Sequence, residues 1–320
     1  MRAVELSVCL ITYNHAPYIE EAIKSVLSQK LTLNWELIIS DDCSTDGTQE
    51  IVRKYADRHP DLIRPFLRTE NLGTWVHIVH VLKEARGEFV GYLEGDDRYT
   101  DNLKLQTQIE YLRSHPDNVG CFHDLTVVDE AGGLVEESFL ASQRSSFKSV
   151  LHQGDLLQPG GVIGQINSWV YRRSYIDSPP RWLTEFPLDK SLAFYLATFG
   201  SWGYIDKRMS LYRLHGGGIY SPRPRHFQNE MLLRHILILY GVAEYRKLYG
   251  RILQLRICHY CRELAQDYRK ISYVKYVTYL ARYLRHHPDK ITAAKVLVKE
   301  EALGRSLQRR QPRTTDKLDD

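Results

Sequence analysis

Apolar residues in the first 130 positions follow two alternating patterns. Short runs that are mainly apolar predict strands at residues 8–11, 37–39, 63–67 and 89–93. Between them, apolar residues recur at helical spacing and predict helices at residues 17–27, 44–55, 75–82 and 103–112. Uninterrupted apolar runs are typical of parallel strands that are buried on both faces. Residues 5–128 therefore predict an α/β fold with a mainly parallel sheet flanked by helices.

The alternation becomes less regular between residues 129 and 222. Two Gly-Gly pairs within residues 129–165 predict a hairpin and a loop region. Further along, the apolar spacing predicts strands at residues 166–171 and 202–205, and a helix at residues 190–199.

A third pattern begins after Pro222 and Pro224. Residues 226–303 predict helices with few interruptions, and the polar residues that follow predict a disordered tail. These changes divide the chain into three predicted regions, at residues 1–222, 223–304 and 305–320.

Charge is distributed unevenly along the chain. The net charge of +4 over 320 residues divides into −4 over residues 1–250 and +8 over residues 251–320. A hydrophobic content of 43% and a charged content of 26% are typical of a globular enzyme. The acidic N-terminal part and the basic C-terminal part of the chain indicate that the two regions have different roles.

Cysteine content and apolar runs bear on the compartment in which the protein works. Its five cysteines are an odd number and too few for a disulfide framework, which favours a reducing compartment. Cys258 and Cys261 lie in a predicted helix without a second pair, which favours helix packing over zinc binding. No apolar run reaches the roughly 18–20 residues of a membrane span, and no signal-peptide pattern precedes the first strand. We therefore expect a cytoplasmic protein.

Three polar clusters follow predicted strands. Thr12, Tyr13 and Asn14 follow the first strand, residues 41–48 follow the second, and residues 94–97 follow the fourth. Taken singly, each cluster has a structural alternative: a capped turn, the helix cap of residues 44–48, or an acidic surface turn. The ends of parallel strands, however, meet at one edge of a sheet. There, a tyrosine can stack on a base, and carboxylates suit a nucleotide diphosphate with Mg²⁺ or Mn²⁺.

Two common nucleotide-binding motifs are absent from the sequence. The chain contains no G-x-x-x-x-G-K-[ST] segment, which argues against a phosphate-loop NTPase. No G-x-G-x-x-G segment follows the first predicted strand, which disfavours a dinucleotide-dependent dehydrogenase.

Four segments together resemble the family 2 glycosyltransferases of the GT-A fold. They are SVCLITYN at residues 7–14, DDCSTDGT at 41–48, NLG at 71–73 and EGDD at 94–97. The resemblance extends from residue 5 to about residue 220 in both order and spacing. It implies a GT-A type nucleotide-diphospho-sugar transferase fold for the catalytic domain, residues 1–222, with a C-terminal α-helical extension.

The resemblance also implies roles for individual residues. Tyr13 would lie near the nucleotide base, with Asp41 or Asp42 hydrogen-bonding to that base. Asp96 would hold a divalent metal, Mn²⁺ or Mg²⁺, that bridges the donor diphosphate, and His215 would join the metal or diphosphate contacts. Further donor-binding residues would be Thr12, Asn14, Asn71, Gly73, Glu94, Gly95 and Asp97.

The resemblance gives two further acidic residues, Glu94 and Asp189, distinct roles. Glu94 stands where the D-x-D motif of the family has its first Asp, which contacts the ribose. Asp189 opens a predicted helix ahead of the Y-R-x-H segment at residues 212–215, and the resemblance implies that it is the catalytic base, with Glu185 in reserve. For His215, a loop histidine before a glycine run is the structural alternative.

Tyrosines and basic residues interleave in the predicted rear helices. The residues concerned are Tyr268, Arg269, Lys270, Tyr273, Lys275, Tyr276, Tyr279, Arg282, Tyr283 and Arg285. The pattern fits tyrosines packed on the catalytic domain beneath a solvated basic face. It also fits contact with an anionic membrane or a lipid-linked acceptor. Nucleic acid would be attracted as well, but is not the expected partner.

On this resemblance we predict a metal-dependent, inverting glycosyltransferase of the hexosyltransferase type. A single base and no required enzyme nucleophile predict direct displacement by an acceptor hydroxyl. The predicted donor is a UDP-sugar, and the acceptor is a glycan or lipid-linked molecule in bacterial surface polysaccharide synthesis at the inner face of the cell membrane. A nucleotidyltransferase of related fold and a non-catalytic sugar-nucleotide-binding protein are the alternatives.

Overall fold

The chain forms two compact units, Met1–Pro222 and Arg223–Asp320. The computed structural model describes residues 3–141, 148–158, 163–185, 189–218 and 223–295. For Trp75, Thr184 and Glu185 it describes the backbone alone. The tail predicted at residues 305–320 lies outside the described residues.

The first unit consists of strands and helices in alternation. The strands are β1 (Leu6–Thr12), β2 (Trp35–Asp41), β3 (Ile63–Leu67), β4 (Phe89–Glu94), β5 (Arg98–Tyr99), β6 (Asn118–Asp129), β7 (Leu134–Glu136), β8 (Val150–Leu151), β9 (Val170–Arg172) and β10 (Ser201–Leu214). The helices are α1 (Ile19–Leu27), α2 (Thr48–Arg58), α3 (Thr74–Glu84), α4 (Lys104–Ser114), α5 (Arg181–Glu185) and α6 (Asp189–Leu196).

All ten described strands belong to one sheet. Its order is β3-β2-β1-β4-β9-β6-β10-β5, with β7 beside β6 and β8 beside β10. The first four strands in this order run parallel, as do β6 and β10. Between these two groups, β9 is antiparallel to both of its neighbours. The predicted α/β fold with a mainly parallel, helix-flanked sheet is therefore confirmed.

The core lies on both faces of this sheet. Every residue of β1 is buried. Leu6, Val8 and Leu10 pack into one apolar cluster, whereas Cys9 and Ile11 pack into the other. Because successive side chains of a strand point to opposite faces, a strand covered on both sides must be apolar throughout. This is why the sequence pattern identifies the parallel strands.

Two predicted strands of the second half are wrong in extent. Residues 166–168 form a 3₁₀ turn, and β9 begins only at Val170. The turn is held by the Asn167 amide, which donates to Asp97 and to the Leu211 carbonyl. The strand predicted at residues 202–205 is the start of β10, which has 14 residues. Its ladder with β6 shifts register around Ile205 and Arg208, so polar residues interrupt the apolar run.

The described part of the second unit, residues 223–295, is helical. Its three long helices are α7 (Arg225–Gly241), α8 (Ala243–Tyr268) and α9 (Tyr273–His286). Cys258 and Cys261 are buried thiols within α8. Across the described residues, no helix combines the length and the apolar character that crossing a bilayer would need.

Candidate active site

Three strand ends lie side by side at the carboxyl edge of the sheet. In the ladders of β1, Thr12 pairs with Asp41 of β2, and Ile11 pairs with Glu94 of β4. The polar clusters that follow β1, β2 and β4 therefore start from neighbouring positions.

Asp41, at the end of β2, is fully buried and bonded to its own loop. One carboxylate oxygen accepts the backbone N–H of Ser44 at 2.8 Å and the amide of Gln49 at 2.6 Å. The other accepts the hydroxyl of Ser44. A carboxylate held by such donors fixes the backbone around it, here including Cys43 with its positive φ of 69°.

Asp42 holds a second loop, the one that precedes α3. Its two carboxylate oxygens accept the backbone N–H groups of Leu72 at 2.9 Å and Gly73 at 3.0 Å. The side-chain amide of Asn71 donates to the Asp42 carbonyl at 2.9 Å. Gly73 has a φ of 76°, in the region that favours glycine. Asn71 and Gly73, both predicted site residues, are thus placed by Asp42.

The loop after β1 is tied to the loop after β2. Asn14 donates its backbone N–H to Ser44 Oγ at 2.8 Å and accepts the Thr45 N–H on its side-chain oxygen at 2.9 Å. Asp46 accepts the backbone N–H groups of Ala16 and Thr48. Between these anchors Tyr13 remains 47% exposed. Its ring is available to a planar ligand at the sheet edge.

Asp96, in the turn after β4, lies against two histidines from distant parts of the chain. Its Oδ2 is 2.8 Å from Nε2 of His215, which directly follows β10, and 3.6 Å from Nε2 of His15, in the loop after β1. One ligand atom from each of the three residues lies within 4.8 Å of the others. This is the group of possible metal-ligating side chains found in the described part of the chain.

Electrostatics at this cluster favour an ionised Asp96. Burial alone favours the neutral acid, but the charge of His15 and the hydrogen bond with His215 outweigh it and lower the pKa of Asp96. The same hydrogen bond raises the pKa of His215. Burial lowers the pKa of His15, against the opposing effect of the Asp96 charge.

Several buried polar atoms of this cluster have no hydrogen-bond partner among the described residues. They are Asp96 Oδ1, His15 Nδ1 and Thr12 Oγ1. Gly95 lies against two of them, since a Cβ at this position would come within 2.7 Å of Thr12 Oγ1 and 3.0 Å of His15 Nδ1. A side chain at residue 95 would therefore push Thr12 and His15 aside, which explains the glycine.

Asp97 differs from its neighbour because both of its oxygens are bonded within the protein. The Asn167 amide donates to Asp97 Oδ2 at 2.6 Å, and the Arg213 backbone N–H donates to Asp97 Oδ1 at 2.9 Å. Asn167 Oδ1 also accepts the Ser210 hydroxyl at 3.2 Å. Asp97 thereby joins the turn that carries Asp96 to β10, the strand that leads to His215.

Arg213 fastens the same turn from the other side. Its Nε donates to the Asp96 carbonyl at 3.1 Å, and one terminal nitrogen pairs with Glu21 of α1 at 3.1 Å. The guanidinium group lies 4.8 Å from the ring centroid of Tyr18, whose ring is also 5.2 Å from that of His215. Arg213, the arginine of the Y-R-x-H segment, therefore helps to hold Asp96 and His215 in position.

Glu94 and Asp189 are close enough to influence each other. Burial, together with the charges of Asp96 and Asp189, raises the pKa of Glu94 to about 8. Asp189 is the first residue of α6, and its carboxylate accepts the Lys190 N–H at 2.6 Å. The charge of Asp189 thus acts on Glu94 at the carboxyl edge. The side chain of Glu185 lies outside the described residues.

Three residues of this site carry no site prediction from the sequence: His15, Asn167 and Arg213. His15 directly follows Asn14, so a metal-ligating side chain next to a strand-end cluster was a usable signal. Arg213 belongs to a quoted motif, but its contacts depend on the fold. Asn167 lies in a segment predicted as a strand, and nothing in its local pattern connects it with Asp97.

The fold is that of the GT-A class of nucleotide-diphospho-sugar transferases. Residues 1–349 of TarS from Staphylococcus aureus, solved with UDP-GlcNAc, match with a TM-score of 0.58 at 18% identity, covering 89% of this chain and 82% of that one. The mannosyltransferase PcManGT from Pyrobaculum calidifontis, solved with GDP-Man and Mn²⁺, matches at 0.59 and 18%, covering 95% and 81%. Identity at this level shows the fold alone.

The chain belongs to glycosyl transferase family 2, whose family model matches residues 7–177. The Mycobacterium tuberculosis protein Rv1520 is 39% identical over 217 residues, 67% of this chain and 60% of that protein. The chain thus spans about 60% of the length of the first curated relatives it matches. TuaG of Bacillus subtilis, a putative teichuronic acid biosynthesis glycosyltransferase, is 38% identical over 107 residues, 33% of this chain and 41% of TuaG.

Proposed function

We propose that this protein transfers a hexosyl group, with inversion, from a nucleotide-diphosphate sugar to a hydroxyl of a glycan or lipid-linked acceptor. The principal observation behind the proposal is a cluster of possible metal ligands, and a second concerns Asp189. At the carboxyl edge of a family 2 fold, ligand atoms of Asp96, His15 and His215 lie within 4.8 Å of one another. Asp189 lies near enough to that edge for its charge to raise the pKa of Glu94.

The residues present fit a divalent metal, Mn²⁺ or Mg²⁺. Asp96 would supply a carboxylate oxygen, and its Oδ1 is buried without a partner among the described residues. His215 and His15 would supply imidazole nitrogens, and a mixed oxygen and nitrogen set favours Mn²⁺ over Mg²⁺. When bound there, the ion would offset the negative charge that develops on the leaving diphosphate.

Asp189 is the proposed base. It would take the proton of the acceptor hydroxyl while that oxygen forms a bond to the anomeric carbon. The bond from the anomeric carbon to the diphosphate breaks in the same step, and the nucleoside diphosphate leaves. Attack on the face opposite the leaving group inverts the anomeric configuration. As the first residue of α6, Asp189 lies where a helix favours a negative charge.

The ends of β1 and β2 would hold the nucleotide, which we propose is a uridine diphosphate. Tyr13 would stack on the base, and Asp41 or Asp42 would accept a hydrogen bond from it. Asp42 is the better placed, because each of its oxygens has accepted one bond and a carboxylate has about four acceptor sites. The donor site would also include Thr12, Asn14, Asn71, Gly73, Glu94 and Gly95, with Asp97 supporting it.

The acceptor class is proposed from relatives. TuaG is named for teichuronic acid biosynthesis, and TarS is named a poly(ribitol-phosphate) β-N-acetylglucosaminyltransferase. We extend this to a role in bacterial surface polysaccharide synthesis, on the cytoplasmic side of the cell membrane. No nucleic acid partner is proposed.

A thermal-shift screen tests the donor and the metal together. The full chain is heated with UDP- and GDP-sugars, each with and without Mn²⁺, because a ligand of the folded state raises the melting temperature. We expect a UDP-sugar to stabilise the protein only when Mn²⁺ is present. A chain that responds to no sugar nucleotide under either condition would contradict the proposal.

The role of His15 is tested by metal binding. His15→Gln is expected to weaken Mn²⁺ binding, measured by titration calorimetry, by at least about tenfold. His80→Gln is the matched control, because His80 is exposed on α3. If His15→Gln left Mn²⁺ binding intact and weakened only UDP binding, His15 would be a diphosphate contact and not a metal ligand.

A further inference from the structure

Helix α9 exposes an apolar face of the second unit. Ile271, just before the helix, is 62% exposed, and Tyr273, Val274 and Val277 within it are 74%, 75% and 42% exposed. Val274, Val277 and the exposed Ala281 follow one another at spacings of three and four, so they share one side of the helix. We call these five residues, 271, 273, 274, 277 and 281, the α9 face.

The opposite side of α9 is the one that packs within the unit. Tyr279 and Tyr283 are buried, and the Tyr279 hydroxyl donates to Glu230 of α7 at 2.8 Å. Cys258 of α8 lies 3.8 Å from the Tyr283 carbonyl. The tyrosine side is thus committed to α7 and α8, which fixes the orientation of the helix and leaves the α9 face outward.

The surroundings of the α9 face are cationic. Between Asp267 and Asp289 the sequence has five Lys or Arg residues and no acidic residue. Lys270 and Arg285, both exposed, lie at opposite ends of the face. Over residues 223–295 there are 15 Lys and Arg against 5 Asp and Glu, a net charge of +10. One member of this set, Lys275, is paired with Glu230 at 3.0 Å.

This combination favours one kind of occupant. Side chains such as Val and Ile gain nothing from a polyanion in water, so nucleic acid leaves the apolar residues unexplained. A second copy of the same face would bring like charges together, because a two-fold interface repeats the same residues. An anionic bilayer satisfies both features, since apolar side chains enter the acyl boundary while Lys and Arg reach the headgroups.

We propose that the α9 face docks the protein on an anionic lipid bilayer, with α9 lying in the interface and not crossing it. The inference goes beyond the proposed sugar transfer and uses none of its residues. Vesicle binding needs neither donor nor metal, so failure of this proposal and failure of the proposed transferase activity are distinguishable.

The experiment is co-sedimentation of the full chain with vesicles. One preparation contains phosphatidylcholine alone, and the other contains phosphatidylcholine with phosphatidylglycerol. We expect binding to the anionic vesicles, with the bound fraction falling as salt is raised, because salt screens the attraction between headgroups and basic residues.

Two double variants separate the apolar and cationic contributions. Val274→Glu with Val277→Glu, and Lys270→Glu with Arg285→Glu, are each expected to lower partitioning by at least about tenfold. Val135→Glu, on the 54% exposed Val135 of β7, is the matched control and should bind as the wild type does. All substituted positions are exposed, and unchanged thermal unfolding verifies that each variant is folded.

Several results would overturn the proposal. One is equal sedimentation with neutral and anionic vesicles, and another is no sedimentation with either. A third is a self-associated wild type that becomes monomeric in Val274→Glu with Val277→Glu, measured by light scattering, since the face would then bind a second copy. Loss of binding in Val135→Glu equal to that of the α9 variants would also count against it.

Discussion

The carboxylates that follow β2 and those that follow β4 look alike in the sequence but differ in their surroundings. After β2, the carboxylates of Asp41 and Asp42 together accept five hydrogen bonds from the protein. After β4, Asp96 is bonded to His215, and its Oδ1 is buried with no partner among the described residues. Every carboxylate oxygen of the first pair accepts at least one bond from the protein, whereas Asp96 keeps one oxygen with no partner among the described residues.

The difference shows that a pair of acidic residues at a strand end has two distinct uses. A carboxylate whose oxygens accept backbone N–H groups organises a loop, because leaving those donors unpaired would be costly. A buried carboxylate with a bare oxygen has been desolvated without full compensation, which is typical of a ligand-binding group. Asp97 belongs to the first type although it adjoins Asp96, since Asn167 and Arg213 occupy both of its oxygens.

The largest effect is expected from Asp96→Ala. It removes the only carboxylate of the proposed metal site, and metal stabilisation of the leaving diphosphate contributes several kcal/mol, so transfer should fall by about 10³-fold or more. Mn²⁺ binding should be lost in the same variant. The measurements are nucleoside diphosphate release and Mn²⁺ calorimetry, with Asp57→Ala on the exposed surface of α2 as the control. If the activity of Asp96→Ala kept the same dependence on Mn²⁺, Asp96 in the turn after β4 would not be a metal ligand.

Asp189→Asn is expected to have the next largest effect. Amide replacement removes a proton acceptor with little change of shape, so kcat should fall on the order of 10²- to 10³-fold. Donor affinity and Mn²⁺ affinity should remain, because Asp189 is not among the proposed ligands. Steady-state kinetics measures the effect on kcat, and calorimetry on the same preparation measures the affinities for donor and Mn²⁺. Full transfer by Asp189→Asn would remove it as the base.

Asn167→Ala tests whether Asp97, whose two oxygens are both hydrogen-bonded within the protein, positions Asp96. Loss of the 2.6 Å bond to Asp97 should loosen the connection between the β4 turn and β10, and weaken Mn²⁺ binding by about tenfold. Ser210→Ala is the matched control, because it removes the 3.2 Å bond to Asn167 and leaves Asp97 untouched. Both variants should lose about 1 kcal/mol of unfolding free energy. Equal Mn²⁺ affinities in the two variants would mean that Asn167 acts on stability alone.

The sequence could predict the parallel half of this fold, and the reason is local. Strands β1, β2 and β4 are buried on both faces, so their apolar runs are visible without any partner. In β10, the exposed segment Asp206–Arg208 interrupts the run, and only the pairing with β6 shows that one strand continues through it. The 3₁₀ turn at Ile166–Ser168 is equally hidden, because its stability depends on the distant Asp97 and Leu211.

The same distinction applies to the candidate site. The strand-end clusters could be predicted because residue type and position along one strand are sequence properties. His15 and His215 lie 200 residues apart in the sequence but both contact Asp96. The local pattern of apolar and polar residues cannot predict such a contact. Which carboxylate is occupied is also a tertiary property, since the donors to Asp42 come from residues 72 and 73.

Asp42→Asn should have the smallest effect on activity. It tests whether a carboxylate after β2 mainly organises its loops or also binds the nucleotide. An amide cannot accept from both Leu72 and Gly73, so the variant should lose about 1–3 kcal/mol of unfolding free energy. If Asp42 also accepts one bond from the base, UDP affinity should fall by roughly two- to tenfold. Thermal unfolding and UDP titration measure the two effects, with Asp61→Asn on the exposed turn before β3 as the control. If Asp42→Asn weakened UDP binding as much as Asp96→Ala does, the carboxylates after β2 and after β4 would not differ in function. Both would then be ligand-binding groups.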